Sequence, residues 1–367
     1  MKSIQNLDQY KVKNLDSFAK VSIIIAVKDG EREIEATVQR LLKCDYPDFE
    51  IIIVNDRSSD RTEEILQKIK ATNSKLINVQ VKELPQGWLG KVHALHQGVK
   101  HATGEFILFM DADVSVGEEA LKASVNASQI HKLDHLAVLP EFLPGEYFLN
   151  VMTTTSVFLF VLSSKPWLDI EKRPVEATKG VGAYNFVRRL AFEKTEGFDW
   201  LKMDVADDVA LAQLLAKNGG RSLLMRSGTS QLELSWYESF KKLVLGLEKN
   251  IVGGFTNYRL ELIFIITLIS LLVSIVPLIA LLFVNVPIIF YSGIFFFLTT
   301  LFFAFFVKKL MKQSFATILA FPLGISLLGL ILLRASFICF RNGGIRWSGT
   351  LYPLKQLKKG TRVKLGL

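Results

Sequence analysis

Two carboxylates separated by one residue, Asp111 and Asp113, close the apolar run FILFM. At that spacing one can bind a divalent cation directly and the other through water or a ribose hydroxyl. A hard, octahedral Mg2+ or Mn2+ held there would in turn bridge a diphosphate. The same pair also reads as a turn capped by acids after a strand. A second acidic cluster, Asp56 and Asp60 in VNDRSSDRT, follows another apolar run. Asp56 can accept hydrogen bonds from a nucleobase imide or a ribose, or serve an Asx-turn. Asp60 reads as turn and N-cap chemistry for a helix starting near Thr62.

Gly87-Trp88-Leu89-Gly90-Lys91 opens a helix that continues HALHQGVKHA. Glycines at a helix N-terminus with a Lys suit a phosphate, although the pattern is not the Walker loop and a plain glycine-rich turn has the same composition. His93, His96 and His101 on that helix have no carboxylate at ligand spacing and read as non-ligands. Asp204, Asp207 and Asp208 in DVADD begin an amphipathic helix. Acids there complement the helix dipole; alternatively one is a general base taking a proton from an acceptor hydroxyl. Near the end, Arg346 and Trp347, with Tyr352, follow an apolar segment. They read either as interfacial anchors or as a lid returning over an active site.

These groups need a scaffold. Val21–Val27 (VSIIIAV) and residues 51–54 are fully apolar, β-branched runs with helical periodicity between them through Leu42, and residues 79–81 and Phe106–Met110 add further strands. Apolar strands alternating with helices predict an α/β, doubly wound, mostly parallel sheet covered on both faces, with ligands at the carboxyl ends of its strands. The clusters at 55–60 and 111–113 would then open onto one edge. Residues 147–167 predict a helix at the membrane surface or lining an acceptor groove, and 232–250 a second interfacial helix.

Half of the 367 residues are hydrophobic, with a mean hydropathy of +0.31, and the excess lies after about residue 260. Segments at about 260 to 284, 286 to 307 and 315 to 340 each reach the ~20 residues that cover a bilayer. The first two, joined by Asn285 and Val286, read as a hairpin leading back to the cytosol at Lys308, Lys309 and Lys312. The third, with Pro322 and Gly324 early and Arg334 late, has basic flanks on both sides. A re-entrant or tilted segment satisfies the positive-inside rule better than a third span. The net charge of +9 has the same origin: eleven Lys and Arg and no acids follow position 300, leaving 33 basic against 35 acidic residues before it. That placement fits anionic headgroups and argues against nucleic acid. Cys44 and Cys339 predict no disulfide. The polar start of the chain predicts neither a signal peptide nor a leading span. The expected organisation is a polar segment 1–20, a catalytic domain 21–231, an interfacial helix 232–258, a membrane region 259–340 and a basic cytosolic tail 341–367.

In order, VSIIIAVKDGE, IIIVNDRSSDRT, GWLGKVHALHQG, FMDADV, GAYNFVRRLAFEKTEGFD and VADDVALA resemble glycosyltransferase family 2, of GT-A fold, over essentially the whole chain. The resemblance implies nucleotide contacts near Val27, Asp29, Glu31 and Asp56 and a donor-binding role for Lys91. It implies a metal on Asp111 and Asp113, and Asp208 as the general base with Asp207 as its companion. Arg346 and Trp347 are expected on the nucleotide-sugar. Within the family the motif order is similar to the membrane enzymes that glycosylate ceramide, hopanoid and carotenoid-acid lipids. Many of these relatives begin with a span not found here, and the Q-x-x-R-W of processive synthases appears only as Gly343-Gly344-Ile345-Arg346-Trp347, without the Gln. The expectation is a multi-pass protein of the cytoplasmic membrane with a cytosolic catalytic domain. It would move a sugar, with inversion, from a UDP-sugar to a lipid, using Mg2+ or Mn2+. The alternatives are a processive polysaccharide synthase, or a catalytically silent scaffold or lipid-binding protein that keeps the fold.

Overall fold

The computed structural model describes residues 4–13, 17–229, 231–311 and 313–363, with only the backbone for 303, 304 and 306–311. The side chains of Lys308 and Lys309, all of Lys312 and the end of the basic tail at 364–367 therefore lie outside the described residues.

The elements run β1 (Val21–Val27), α1 (Ile34–Leu42), β2 (Phe49–Asp56), α2 (Thr62–Thr72), β3 (Leu76–Val81), α3 (Gly90–Val99), β4 (Phe106–Met110) and β5 (Ser115–Val116). Next come α4 (Ala120–Ile130), β6 (His135–Leu139), β7 (Glu141–Phe142), α5 (Tyr147–Ser163), β8 (Asn185–Arg188), α6 (Arg189–Glu193) and α7 (Gly197–Leu201). Then follow α8 (Asp207–Lys217), β9 (Ser222–Arg226), β10 (Leu232–Leu234), α9 (Phe240–Thr256), α10 (Leu260–Ala280) and α11 (Pro287–Met311). The chain ends with α12 (Phe315–Leu319), α13 (Phe321–Arg341), β11 (Gly344–Trp347), β12 (Thr350–Pro353) and α14 (Leu354–Gly360). It divides into two compact units: residues up to Leu143, Ser164–Ser235 and the stretch from Lys359 form the first, and Pro144–Ser163 with Trp236–Lys358 form the second.

The first unit is built on a seven-stranded sheet in the order β3-β2-β1-β4-β8-β6-β9. β3, β2, β1 and β4 are mutually parallel, while β8 runs antiparallel to both β4 and β6. All eight residues of β2 and all five of β4 are buried, which is why these strands read as unbroken apolar runs rather than alternating ones. The registers pair Val27 with Asn55 and Ile25 with Met110. The loops after β1, β2 and β4 consequently leave from the same edge of the sheet, as the sequence led one to expect. A second, three-stranded sheet joins β5, β10 and β7. Here the structure departs from the expected helix over 232–250: Leu232–Leu234 is sheet, and the helix starts at Phe240, where Ser239 Oγ caps the Lys242 N–H at 3.3 Å.

The second unit is helical. Among the described residues, α10 and α13 are long and apolar enough to cross a bilayer, whereas the apolar part of α11 covers Pro287–Phe302. The third segment is divided at Ala320 into α12 and α13, and Pro322 sits in the first turn of α13, where its missing N–H costs nothing. α10 packs along α13 through small residues. A Cβ on Gly329 would collide with Ser270 Oγ, and Thr267 Oγ1 donates to Gly329 O at 3.2 Å. Arg334 of α13 pairs with Glu248 of α9.

Candidate active site

Asp111 leaves the end of β4, and Lys91 stands in the first turn of α3. The Lys91 ammonium lies 2.7 Å from Asp111 Oδ1 and 3.6 Å from Asp207 Oδ2. Burial alone would lower the lysine's pKa, but Asp111, Asp207 and Asp208 together raise it. Its charge is therefore secure at any physiological pH. Asp207 and Asp208 form the first turn of α8, the placement that also favours negative charge near a helix N-terminus. Asp208 Oδ2 accepts from Gly182 N at 2.7 Å and Oδ1 from Val209 N at 2.8 Å. Burial raises its pKa against the pull of Lys91 and those N–H groups, the direction that makes a carboxylate a better proton acceptor. With Phe109, Phe198 and Leu211 these groups line one small pocket.

Glycines hold the acids in place. Asp111 N donates to Gly182 O at 3.1 Å, so a single residue presents its carbonyl to one aspartate and its N–H to the other. A Cβ on Gly182 would lie 2.8 Å from Asp111 Oδ2, and one on Gly180 would lie 1.9 Å from Asp208 O. Behind them runs a buried relay. Asn185 Nδ2 donates to Asp208 O at 3.3 Å, leaving Asn185 Oδ1 to accept from His135 Nε2 at 2.6 Å. That assigns the proton to Nε2, so His135 Nδ1 accepts from Ser222 Oγ at 2.6 Å. Burial lowers the His135 pKa to about 4. Thr37 Oγ1 donates to Ala112 O at 2.5 Å and pins the loop between the two acids of the Asp-x-Asp pair. Asp204, the first acid of DVADD, is spent elsewhere: its Oδ2 accepts from Arg362 N and Val363 N at 2.5 and 3.0 Å, clasping the far end of the chain.

Val27 ends β1, next to the loop that carries Asp29 and Glu31. Asp29 has φ 53°, and its Oδ1 accepts from Ser59 N at 2.7 Å. Asp60 Oδ2 accepts from Glu31 N at 2.9 Å, and Glu31 Oε2 from Arg61 N at 3.2 Å. These acids lock the loops after β1 and β2 together. Asp60 Oδ1 also accepts from Thr62 N at 3.0 Å, the turn role expected of it. Asp56 is buried and holds Arg57 Nε and Nη2 at 2.8 Å each. His93 Nε2 meets Gln97 at 3.0 Å, a side-chain partner one helical turn away. Arg346 and Trp347 belong to the second unit, on the β11–β12 hairpin, with Lys249 Nζ over the Trp347 ring at 4.5 Å.

Asp113 retains solvent contact, yet the protein crowding its carboxyl and the charge of Asp111 push it up to about 6. Among the described residues no three His, Cys, Asp or Glu side chains gather as a cation cage. The donor set nonetheless fits a hard divalent ion that takes one or two carboxylates from the protein and the rest of its octahedral shell from water and substrate phosphates. Such an ion would relieve the repulsion by which Asp111 raises the Asp113 pKa.

Comparison with known proteins gives a consistent picture. The model of the family described as Glycosyl transferase family 2 matches residues 22–173. A poly-beta-1,6-N-acetyl-D-glucosamine synthase of Staphylococcus aureus is 36% identical over 107 residues, 29% of this chain and 25% of that one. The synthase of the same name from Staphylococcus epidermidis is 33% identical over 101 residues, 27% and 23% of the two chains. These matches span only about a quarter of the relatives' length. Among solved structures, the mannosyltransferase PcManGT from Pyrobaculum calidifontis in complex with GDP-Man and Mn2+ aligns with a TM-score of 0.51 at 17% identity, over 88% of this chain and 92% of that one. The fold is therefore GT-A.

Proposed function

We propose, from the match of residues 22–173 to the model of glycosyl transferase family 2, that the chain transfers one sugar, with inversion, from a UDP-sugar to a hydroxyl or carboxyl of a lipid at the cytosolic face of the cell membrane. The observation that carries the reading is the convergence of Lys91, Asp111, Asp207 and Asp208 on one pocket at the carboxyl edge of the sheet.

The acceptor oxygen attacks the anomeric carbon as the bond to the UDP oxygen breaks, and a hydroxyl acceptor's proton passes to Asp208. Gly182 and Val209 N–H groups aim the Asp208 carboxylate, and burial keeps it basic enough for that proton. Lys91, held charged, opposes the negative charge that grows on the departing diphosphate. A Mg2+ or Mn2+ on Asp111 and Asp113 would add Lewis-acid stabilisation of the same leaving group. Val27, Asp29, Glu31 and Asp56 flank the nucleotide in this reading. The two spanning-length helices and the acid-free, basic C-terminal region support a membrane location.

A second reading, the processive polysaccharide synthase, is favoured by the names of the curated relatives. One experiment separates the two. Purified protein in detergent is given Mn2+, a panel of UDP-sugars and a membrane lipid extract, beside Asp113→Ala. UDP release with one donor, lost in the variant, and a product one sugar heavier than a lipid supports single transfer. A polymer ladder supports the synthase. Silence across the panel with no metal-dependent UDP binding leaves the catalytically silent scaffold.

A further inference from the structure

Between Ser164 and Gly180 the first unit carries a loop built around two single turns, Ile170–Lys172 and Val175–Ala177. None of its four cations, Lys165, Lys172, Arg173 and Lys179, forms an ion pair among the described residues, whereas the neighbouring Arg221 pairs with Glu171 at 2.5 Å. Lys179 is only 3% exposed, and its Nζ donates to a main-chain oxygen, Glu176 O, at 3.1 Å. Burial and then the like charge of Lys165 lower its pKa to about 8; no carboxylate acts on it. Arg173 Nη2 donates to Leu168 O at 3.1 Å, while its Nε is buried and has no acceptor among the described residues.

Buried cations are ordinarily paired, because removing an ammonium from water without a counter-charge is costly. A loop that buries one ammonium, sets a second cation near enough to act on it and leaves a guanidinium N–H without an acceptor is short of an anion. Its position says which substrate would bring that anion. Lys179 directly precedes Gly180, whose backbone packs against the Asp208 carbonyl, and it is absent from the wall of the pocket that Lys91 and Asp111 share. We propose that Lys179, with Arg173 and Lys165, forms an anion subsite for a phosphate or carboxylate carried by the acceptor. The assignment deepens the transferase reading and rests on it.

The full chain in dodecyl maltoside is titrated with dodecyl phosphate, laurate, dodecanol and inorganic phosphate, and separately with UDP plus Mn2+. The anionic amphiphiles are expected to bind and dodecanol not to. Lys179→Met is expected to weaken anion binding by about tenfold or more, to leave UDP binding unchanged and to melt no lower than the parent. Lys179→Arg is expected to keep the binding, and Arg173→Gln to weaken it. Inorganic phosphate binding as tightly as dodecyl phosphate, and lost in Lys179→Met, would support the subsite and mark the source as soluble. Undiminished anion binding in a folded Lys179→Met would overturn the proposal, as would an equal loss of UDP binding, which would place the anion on the donor. If the parent protein binds no UDP but Lys179→Met still loses the anion, the transferase reading fails and the subsite stands.

Discussion

Gly182 and Asp208 are tied by a 2.7 Å hydrogen bond from the glycine N–H to Oδ2, while the same glycine's carbonyl accepts from the Asp111 N–H at 3.1 Å. The separation of the two acids is thus set through one residue of backbone. Gly182→Ala adds a methyl 2.8 Å from Asp111 Oδ2, closer than carbon and oxygen tolerate, so the carboxylate must turn away from Lys91. Displacing a reacting group by about 1 Å costs up to ~100-fold in rate. We expect kcat for UDP release to fall by that order while the melting temperature shifts by only a few degrees. A variant with normal turnover would show that the spacing of Asp111 and Asp208 is not critical.

Lys91 carries the positive charge for three carboxylates. Replacing it with Met removes the countercharge from Asp111, Asp207 and Asp208, and the already raised pKa of Asp208 rises further. The sign follows from the raised pKa of Lys91: its contribution to stability is fully present below the lysine's unfolded pKa and is lost only as the pH climbs through the higher folded one. The stability gap between parent and Lys91→Met should therefore be widest at pH 7 to 9 and close in acid as the carboxylates protonate. Activity should fall by roughly 100-fold or more, as for removal of one transition-state donor. Denaturation midpoints across that pH range, beside UDP release, check both.

Asp208→Asn keeps shape and removes basicity. With a hydroxyl acceptor, kcat should drop by about 100- to 10,000-fold with little change in KM for the donor. With a carboxylate acceptor, which arrives already deprotonated, the drop should be far smaller. Assaying both acceptor types separates a general base from a residue that only shapes the pocket; an equal loss with both would remove Asp208 from the proton-transfer role.

Much of the scaffold was written in local pattern. The apolar runs at Val21–Val27 and Phe106–Met110 are strands with those bounds, because strands buried on both faces cannot hide their apolar composition. Asp111, Asp207 and Asp208 were legible because acids at strand ends and in the first turn of a helix stand out against what precedes them. Gly180 and Gly182 were not, since a glycine's value here lies in what its missing Cβ would strike: the Asp208 carbonyl for Gly180 and the Asp111 carboxylate for Gly182, both far off in sequence. The His135–Asn185 relay joins residues 50 apart, and no spacing rule announces it. Leu232–Leu234 reads in sequence as the start of a helix because its partners in β5 and β7 lie far upstream. Asp204 showed the opposite limit: it sits in an acidic motif but serves the C-terminal segment.

His135 gives the molecule an acid-sensitive joint behind Asp208. It is neutral in the fold, with its pKa lowered by burial from 6.5 to about 4. A base depressed in the folded state costs nothing above pH 6.5. As pH falls from there to about 4, the unfolded chain takes up a proton that the folded one refuses, and stability is lost. Two and a half pKa units correspond to roughly 3 kcal/mol. Carboxylates titrate over part of the same range, so the diagnostic is a difference between proteins. His135→Gln can keep hydrogen bonds to Asn185 and Ser222 without titrating. The variant should be less stable than the parent at pH 7.5 through imperfect packing, and the gap should narrow or reverse by pH 4.5. Thermal melts of both proteins at half-unit pH steps measure it; parallel curves would mean that His135 is not the group that makes the fold acid-sensitive.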